Sequence, residues 1–118
     1  MRIVLDASFV VNAVKYRLDF RKQLTGNELF VIQTVVEEVE NLSNGKSKDA
    51  ANARMALRMI QNIQALGEPD ETEGDADGSL ALLAKKGFAI ATQDMLLRKK
   101  IEKIGGKAFF IRQRKVVQ

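Results

Sequence analysis

The side chains that could do chemistry in this protein are carboxylates, hydroxyls, amides and lysine amines, because the 118 residues include no cysteine and no histidine. This composition excludes disulfides, thiolate zinc sites and cysteine nucleophiles. It also excludes imidazole bases, imidazole ligands and Ser-His-Asp triads. The 15 acidic residues are therefore the first candidates, and their positions in the predicted elements decide which of them matter.

Two of the acids directly follow short apolar segments that read as strands. Asp6 ends the segment 2–5, and Asp94 closely follows the segment 88–91. In α/β sheets, ligands bind beyond the carboxyl ends of parallel strands. We therefore expect Asp6 and Asp94 to lie on the functional edge of the sheet.

Two further acids flank the apolar faces of predicted helices. With about 100° of rotation per residue, Glu38 lies about 60° from Val35 and about 40° from Leu42. By the same geometry, Asp77 lies about 60° from Leu80. We therefore expect Glu38 and Asp77 to point inward, unlike the neighbouring acids of the same segments.

Carboxylates that gather in one place repel each other unless cations neutralise them, and hard divalent ions such as Mg²⁺ or Mn²⁺ suit oxygen ligands. Taken singly, each of the four acids has an ordinary alternative role as a helix cap, a turn former or a boundary residue. Taken together, they favour a metal site. A phosphoacceptor receiver domain also carries acids at strand ends, but it needs an acidic pair after the first strand, where this chain has Asp6-Ala7-Ser8.

The elements that must position these acids alternate between strand and helix. A Thr34 to Glu37 spacing predicts a capping box, Asp94 is placed to cap the helix that follows it, and Gly105-Gly106 ends that helix. The predicted order is strand 2–5, a helix through 9–14, strand 29–32, helix 34–42, helix 47–66, a surface loop at 67–74, a helix around 80–84, strand 88–91, a helix through 97–104, strand 108–111 and a basic tail at 112–115. This alternation predicts one α/β domain over residues 1–118, a three-layer α/β/α sandwich with a mostly parallel sheet.

Charge is unevenly distributed along the chain, whose net charge is +4. Residues 59–84 contain six acidic and no basic side chains, whereas residues 85–118 contain ten basic and two acidic ones. A basic third suggests a polyanionic partner, although a solvated helix face with a basic tail would give the same pattern. Because no apolar run is long enough for a membrane span or a signal peptide, we expect a cytoplasmic protein without a membrane partner.

Four segments resemble, in order and spacing, the acidic motifs of PIN-domain ribonucleases, and the later part is similar to the small archaeal members. The segments are Ile3–Ser8, Val36–Leu42, Asp77–Ala84 and Ile90–Arg98. The resemblance covers almost the whole chain. It implies an α/β/α fold, a Mg²⁺- or Mn²⁺-dependent endoribonuclease activity, and frequent homodimers.

Carried over position by position, the resemblance assigns the catalytic and metal-binding role to Asp6, Glu38, Asp77 and Asp94. Ser8 and Thr92 match the small hydroxyl positions beside them. Two positions depart from the pattern: Gly78 replaces a second acid, and Gln93 replaces a common asparagine. These departures leave open a catalytically inactive module that binds RNA or assembles with other proteins.

Basic side chains near the later motifs are candidates for holding an RNA backbone, since phosphate contacts come mainly from Lys and Arg. They are Arg98, Lys99, Lys100, Lys103, Arg112, Arg114 and Lys115. Two settings suit such an enzyme: a toxin held inactive by an antitoxin partner, or a nuclease that processes a ribosomal RNA precursor. The sequence favours neither.

Overall fold

A computed structural model describes residues 1–67 and 76–118. The predicted loop at 67–74, apart from Gly67, lies outside the described residues. The strands are β1 Arg2–Leu5, β2 Glu28–Val31, β3 Gln64–Ala65, β4 Ala89–Ala91, β5 Ala108–Arg112 and β6 Lys115–Val117. The helices are α1 Ala7–Lys15, α2 Phe20–Gln23, α3 Gln33–Ser43, α4 Lys48–Ile60, α5 Ala76–Lys85 and α6 Met95–Lys103.

The sheet has the order β3-β2-β1-β4-β5-β6, and all neighbouring strands are parallel except the final pair, β5 and β6. The chain moves from β1 outward to β2 and β3, and then from β4 outward in the opposite direction to β5. Because crossovers between parallel strands are right-handed, the two directions place their helices on opposite faces. Accordingly, α1, α3 and α4 pack together, and α5 packs against α6. The expected three-layer α/β/α fold with a mostly parallel sheet is confirmed.

The central strands are apolar because both faces of the sheet are covered. Every residue from Ile3 to Leu5 and from Ala89 to Ala91 is buried. Phe9 of α1 packs edge-on against Phe20 of α2, with ring centroids 6.0 Å apart. This apolar centre holds β1 and β4 side by side and therefore fixes the positions of the residues that follow them.

The predicted caps were partly right. Asp94 caps α6, and its carboxylate accepts hydrogen bonds from the backbone N–H groups of Leu96 and Leu97. The predicted capping box at Thr34 was wrong, because α3 begins one residue earlier and its N-cap is Ile32, which has no side-chain cap. Strand β2 runs directly into α3, so the burial of Ile32 in the core decides where the helix begins.

The predicted helix 47–66 was too long. It is capped by Ser47, the first residue of the predicted range, but it ends at Ile60. The residues that follow form the edge strand β3, which pairs with β2 and is extended by a hydrogen bond from Leu66 N–H to Val31 C=O. Sheet pairing therefore overrides the helical spacing of Ile63.

The predicted basic tail is a β-hairpin. Strand β5 extends to Arg112, and β6 returns antiparallel to it. Gln113 and Arg114 form the turn, both with positive φ, as two-residue hairpin turns of type I′ require. The short helix α2 was also not predicted.

Across residues 1–67 and 76–118, no helix combines the length and apolar character that a membrane crossing needs.

Candidate metal and nucleic-acid site

The candidate site lies at the carboxyl edge of the sheet, between the adjacent strands β1 and β4, whose following connections run in opposite directions. The chain leaves β1 toward β2 and leaves β4 toward β5, so the turns after these two adjacent strands diverge. Such a divergence opens a crevice at the carboxyl edge of a parallel sheet, where ligands bind in α/β folds. Leu5 pairs with Ala91 in the register of the two strands. The next residues, Asp6 and Thr92, are therefore neighbours at the mouth of this crevice.

A hydrogen-bond network joins the two turns. The Thr92 hydroxyl donates to Oδ2 of Asp6 at 2.6 Å, and the Ser8 hydroxyl donates to the same oxygen at 3.0 Å. Oδ1 of Asp6 accepts from the N–H of Ala7 at 2.9 Å. Asp6 and Thr92 are both buried, with 5% and 0% of their surfaces exposed. Buried polar groups need such partners, so the network fixes the orientation of the Asp6 carboxylate.

The two hydroxyls also accept hydrogen bonds from the backbone. Ser8 Oγ accepts from the N–H of Gln93 at 3.0 Å, and Thr92 Oγ1 accepts from the N–H of Asp94 at 3.1 Å. Ser8 Oγ and Thr92 Oγ1 also lie 3.2 Å apart, so the two hydroxyls and the Asp6 carboxylate form one connected network. The Asp6 carboxylate thus accepts all three of these hydrogen bonds. The expected supporting positions Ser8 and Thr92 thus contact Asp6 directly.

Asp94 is the second acid at this edge. Its Oδ1 accepts from Leu96 and Leu97 N–H at 2.9 and 3.2 Å. Its own N–H is held by Thr92, so one threonine positions both carboxylate-bearing turns. Asp94 is half-buried, which leaves part of its side chain accessible to a ligand.

Glu38 and Asp77 were expected to point inward, but both residues are exposed and neither joins the buried core. Leu42, placed on the same apolar stripe by the spacing, is 50% exposed. In α3 the buried face is narrower than predicted and includes only Val35 and Val39. Asp77 lies in the first turn of α5. Since α5 leads to a parallel strand, its first turn is at the carboxyl edge of the sheet.

The acids of residues 1–67 and 76–118 do not form a closed metal cage. Within the described part of the chain, no three acidic side chains are grouped closely enough to hold a metal ion. Mg²⁺, however, is typically bound by one or two carboxylates, with water and substrate phosphate oxygens as its other ligands. Asp6 retains acceptor capacity on Oδ1, and Asp94 is only half-buried, so this donor set fits an ion shared with a phosphate rather than one held by protein alone.

Gln93 is a positioning residue whose role the sequence did not indicate. Its side-chain amide accepts from the Ile111 N–H at 2.5 Å and donates to the Ile111 C=O at 3.2 Å. The two bonds tie the β4–α6 turn to β5, one residue before the end of that strand. An asparagine, shorter by one methylene, would not span the same distance from an unchanged backbone.

The basic candidates form two groups. Lys99, Lys100 and Lys103 are exposed on α6, and Arg112, Arg114 and Lys115 are exposed at the β5–β6 hairpin. Arg98 differs, because it is half-buried and its guanidinium carbon lies 3.8 Å from the centroid of the Phe110 ring. Its Nε is buried without a hydrogen-bond partner in the described structure, so stacking on Phe110 positions this side chain.

Comparisons with known proteins agree with this geometry. A family profile described as a PIN-like domain matches residues 3–114. The chain belongs to the PIN-like domain family. The match covers both turns of the candidate site, from Asp6 to Asp94.

Solved structures share the PIN-like fold at low sequence identity. The PIN domain endonuclease Utp24 has a TM-score of 0.78 and 21% identity over 98% of this chain and 88% of its own. A domain of a functionally unknown protein from Methanocaldococcus jannaschii has a TM-score of 0.68 and 18% identity, covering 94% of this chain and 91% of its own. PAE2754 from Pyrobaculum aerophilum has a TM-score of 0.67 and 22% identity, covering 92% and 83%. A search of curated proteins found no match.

Proposed function

We propose that this PIN-like protein is a divalent-metal-dependent endoribonuclease. The proposal rests on one observation. Hydrogen bonds of Thr92 join the turns that follow β1 and β4, and they hold Asp6 and Asp94 at adjacent strand ends. Family membership and the shared fold with a PIN domain endonuclease support a nuclease role. The metal, the RNA substrate and the biological setting are parts of the proposal.

In the proposed mechanism, Asp6 and Asp94 would hold a Mg²⁺ or Mn²⁺ ion, and Glu38 and Asp77 would complete the acidic set that the resemblance implies. When bound, the ion activates water and stabilises charge on the scissile phosphate. Ser8 and Thr92 orient the Asp6 carboxylate through their hydroxyls. Because the chain has no histidine, the imidazole acid–base pair needed for a cyclic-phosphate route is missing, and we expect products with 5′-phosphate and 3′-hydroxyl ends.

The decisive variant is Asp94→Asn. Asparagine caps helices about as well as aspartate does, so the substitution removes the charge and spares α6. Asp19→Asn is the matched control, because Asp19 caps α2 through its side chain in the same way. We expect Asp94→Asn to slow Mn²⁺-dependent RNA cleavage by about 100-fold or more, and Asp19→Asn to leave it unchanged. Equal activities of the two variants would refute the assignment.

A catalytically inactive RNA-binding or assembly module is the second candidate. It is favoured by the lack of a three-acid group in residues 1–67 and 76–118 and by Gly78, which replaces the second acid of the resemblance. Wild-type protein that binds structured and unstructured RNA but cleaves neither in Mn²⁺ would support this candidate. Cleavage that disappears in Asp94→Asn would exclude it.

For the biological setting, a toxin paired with an antitoxin and a nuclease for ribosomal RNA precursors both use this chemistry. A neighbouring short gene for a DNA-binding antitoxin would favour the toxin, and its absence would favour processing. Light scattering in solution would test the homodimer that the resemblance implies.

A further inference from the structure

One face of α1 leads away from the candidate site. Ser8 and Lys15 are seven residues apart, which places them within about 20° of each other around the helix and about 10 Å apart along it. A groove of about 320 Å³ follows this face and is lined by Ser8, Asn12 and Lys15, with Leu42 and Asp49 among its other walls. The groove therefore begins at the hydroxyl that contacts Asp6.

The groove ends at a basic cavity. Lys15 also lines a second cavity of about 490 Å³, together with Tyr16, Arg17, Leu18 and Arg114. Three cationic side chains and one aromatic ring thus converge from two segments nearly a hundred residues apart. The Lys15 ammonium lies 5.7 Å from the centroid of the Tyr16 ring, which is 39% exposed. Lys15 and Arg17 were not among the candidates drawn from the sequence.

Two of the three cations occupy strained backbone positions. Arg17 has φ of 55° and Arg114 has φ of 59°. Glycine or asparagine adopts this left-handed region more readily than arginine does. Such outliers concentrate at functional sites and are held by the surrounding structure, here the β5–β6 turn for Arg114 and the C-terminal turn of α1 for Arg17. A role in solubility alone would be served equally well by an arginine on an ordinary helix face.

We propose that the groove along α1 guides a single-stranded RNA from the candidate cleavage site to the basic cavity, where Lys15, Arg17 and Arg114 bind a backbone phosphate and Tyr16 stacks on a base. The inference rests on the proposed function for the direction of the strand. The cavity has the two features that single-stranded nucleic acids require, a cationic surface for phosphate and an exposed aromatic ring for a base. An acidic peptide would use only the first.

The test measures binding without cleavage. A fluorescein-labelled single-stranded RNA of about twelve nucleotides is titrated with the whole protein in EDTA at several salt concentrations. We expect Arg17→Gly/Arg114→Gly to weaken binding about tenfold, and each lost phosphate contact to flatten the plot of log K against log salt by about 0.7. We expect Tyr16→Leu to weaken binding with an unchanged slope, because stacking releases no counterions.

Two controls separate this effect from strain and from net charge. Gln113→Gly changes the adjacent positive-φ position of the same turn, at φ of 51°, and removes no charge. Lys85→Gln/Lys86→Gln removes two exposed cations from the end of α5, in the opposite helix layer. We expect both to bind RNA within twofold of wild type. Because glycine suits the left-handed region, we also expect Arg17→Gly/Arg114→Gly to keep the wild-type circular dichroism spectrum and melting temperature within a few degrees.

Three results would overturn the proposal: no RNA binding by the wild type, equal losses in the arginine and lysine double variants, or equal competition by a poly-glutamate peptide of the same charge, which would indicate a protein partner. The proposed nuclease function fails differently. If the wild type binds RNA through Arg17 and Arg114 but never cleaves it, the proposed RNA subsite is supported and the proposed nuclease activity is refuted.

Discussion

Replacing Thr92 with valine should destabilise the protein well beyond the loss of an ordinary hydroxyl. Valine has almost the same shape, so the side chain still fills its fully buried position. The variant loses the 2.6 Å bond to Asp6 and leaves the N–H of Asp94 without its 3.1 Å acceptor. Hydrogen bonds to charged groups contribute about 1.5–3 kcal/mol, and a buried unsatisfied group costs about 1–3 kcal/mol.

Because the two losses share one atom, we do not add them fully and expect the free energy of unfolding to fall by about 2–3 kcal/mol. For a chain of this length, that corresponds to a melting temperature lower by about 6–12 °C. Urea titration followed by circular dichroism measures the change, and an unchanged m-value shows that the transition stays comparable.

Thr25→Val is the matched control, since the Thr25 hydroxyl donates to Lys22 C=O at 2.6 Å but is exposed. In this variant, water can hydrogen-bond to the Lys22 C=O, so we expect the free energy of unfolding to fall by less than about 0.5 kcal/mol. Thr92→Ser restores the hydroxyl and should recover most of the polar loss, while still lacking a buried methyl group. Equal stabilities of Thr92→Val and Thr25→Val would refute the network at Asp6.

Three further predictions concern the elements that position the site. Gln93→Asn should lower the free energy of unfolding by about 1–2 kcal/mol in urea titration, because the shorter amide loses both bonds to Ile111; a neutral effect would contradict this role. Gly106→Ala should lower the free energy of unfolding by about 1–3 kcal/mol, because the new Cβ would lie 2.9 Å from Cγ2 of Ile101. Gly67→Ala, whose Cβ would meet no atom within 4 Å, should be nearly neutral in the same urea titration. Phe110→Leu removes the ring under Arg98 and should weaken RNA binding measured by anisotropy, whereas Phe109→Leu, in the adjacent position of β5, should not.

The fold could be predicted because its signals are local. Apolar segments 2–5 and 88–91 are buried strands, and the aspartates that follow both of them cap helices, so spacing and capping chemistry were sufficient. Element ends set by sheet pairing could not be predicted in this way. Residues 64–65 continue a helical pattern, yet they form β3 because β2 offers an unpaired edge. The turn at Gln113-Arg114 contains no glycine, which concealed the hairpin that follows.

The candidate site was predictable to a similar extent. Strand-end positions placed Asp6 and Asp94 on one edge, but the strand order that makes their strands neighbours is a property of the whole sheet. Helical angles overstated the burial of Glu38 and Asp77, because an apolar stripe predicts a buried face only where another element covers it. Neither spacing nor composition indicated the side-chain bonds of Gln93 or the convergence of Lys15 and Arg17 with Arg114, since these depend on contacts between distant segments.

The central claim is that the crevice between the ends of β1 and β4 binds a divalent cation through Asp6 and Asp94. Its most direct test is Mn²⁺ titration followed by amide resonances in a ¹⁵N-labelled protein. We predict that substoichiometric Mn²⁺ first broadens the amides of Ala7, Ser8 and residues 92–96, and that Asp94→Asn shifts this effect to higher Mn²⁺ while Asp19→Asn does not. Broadening that begins elsewhere, or that is the same in both variants, would contradict the account.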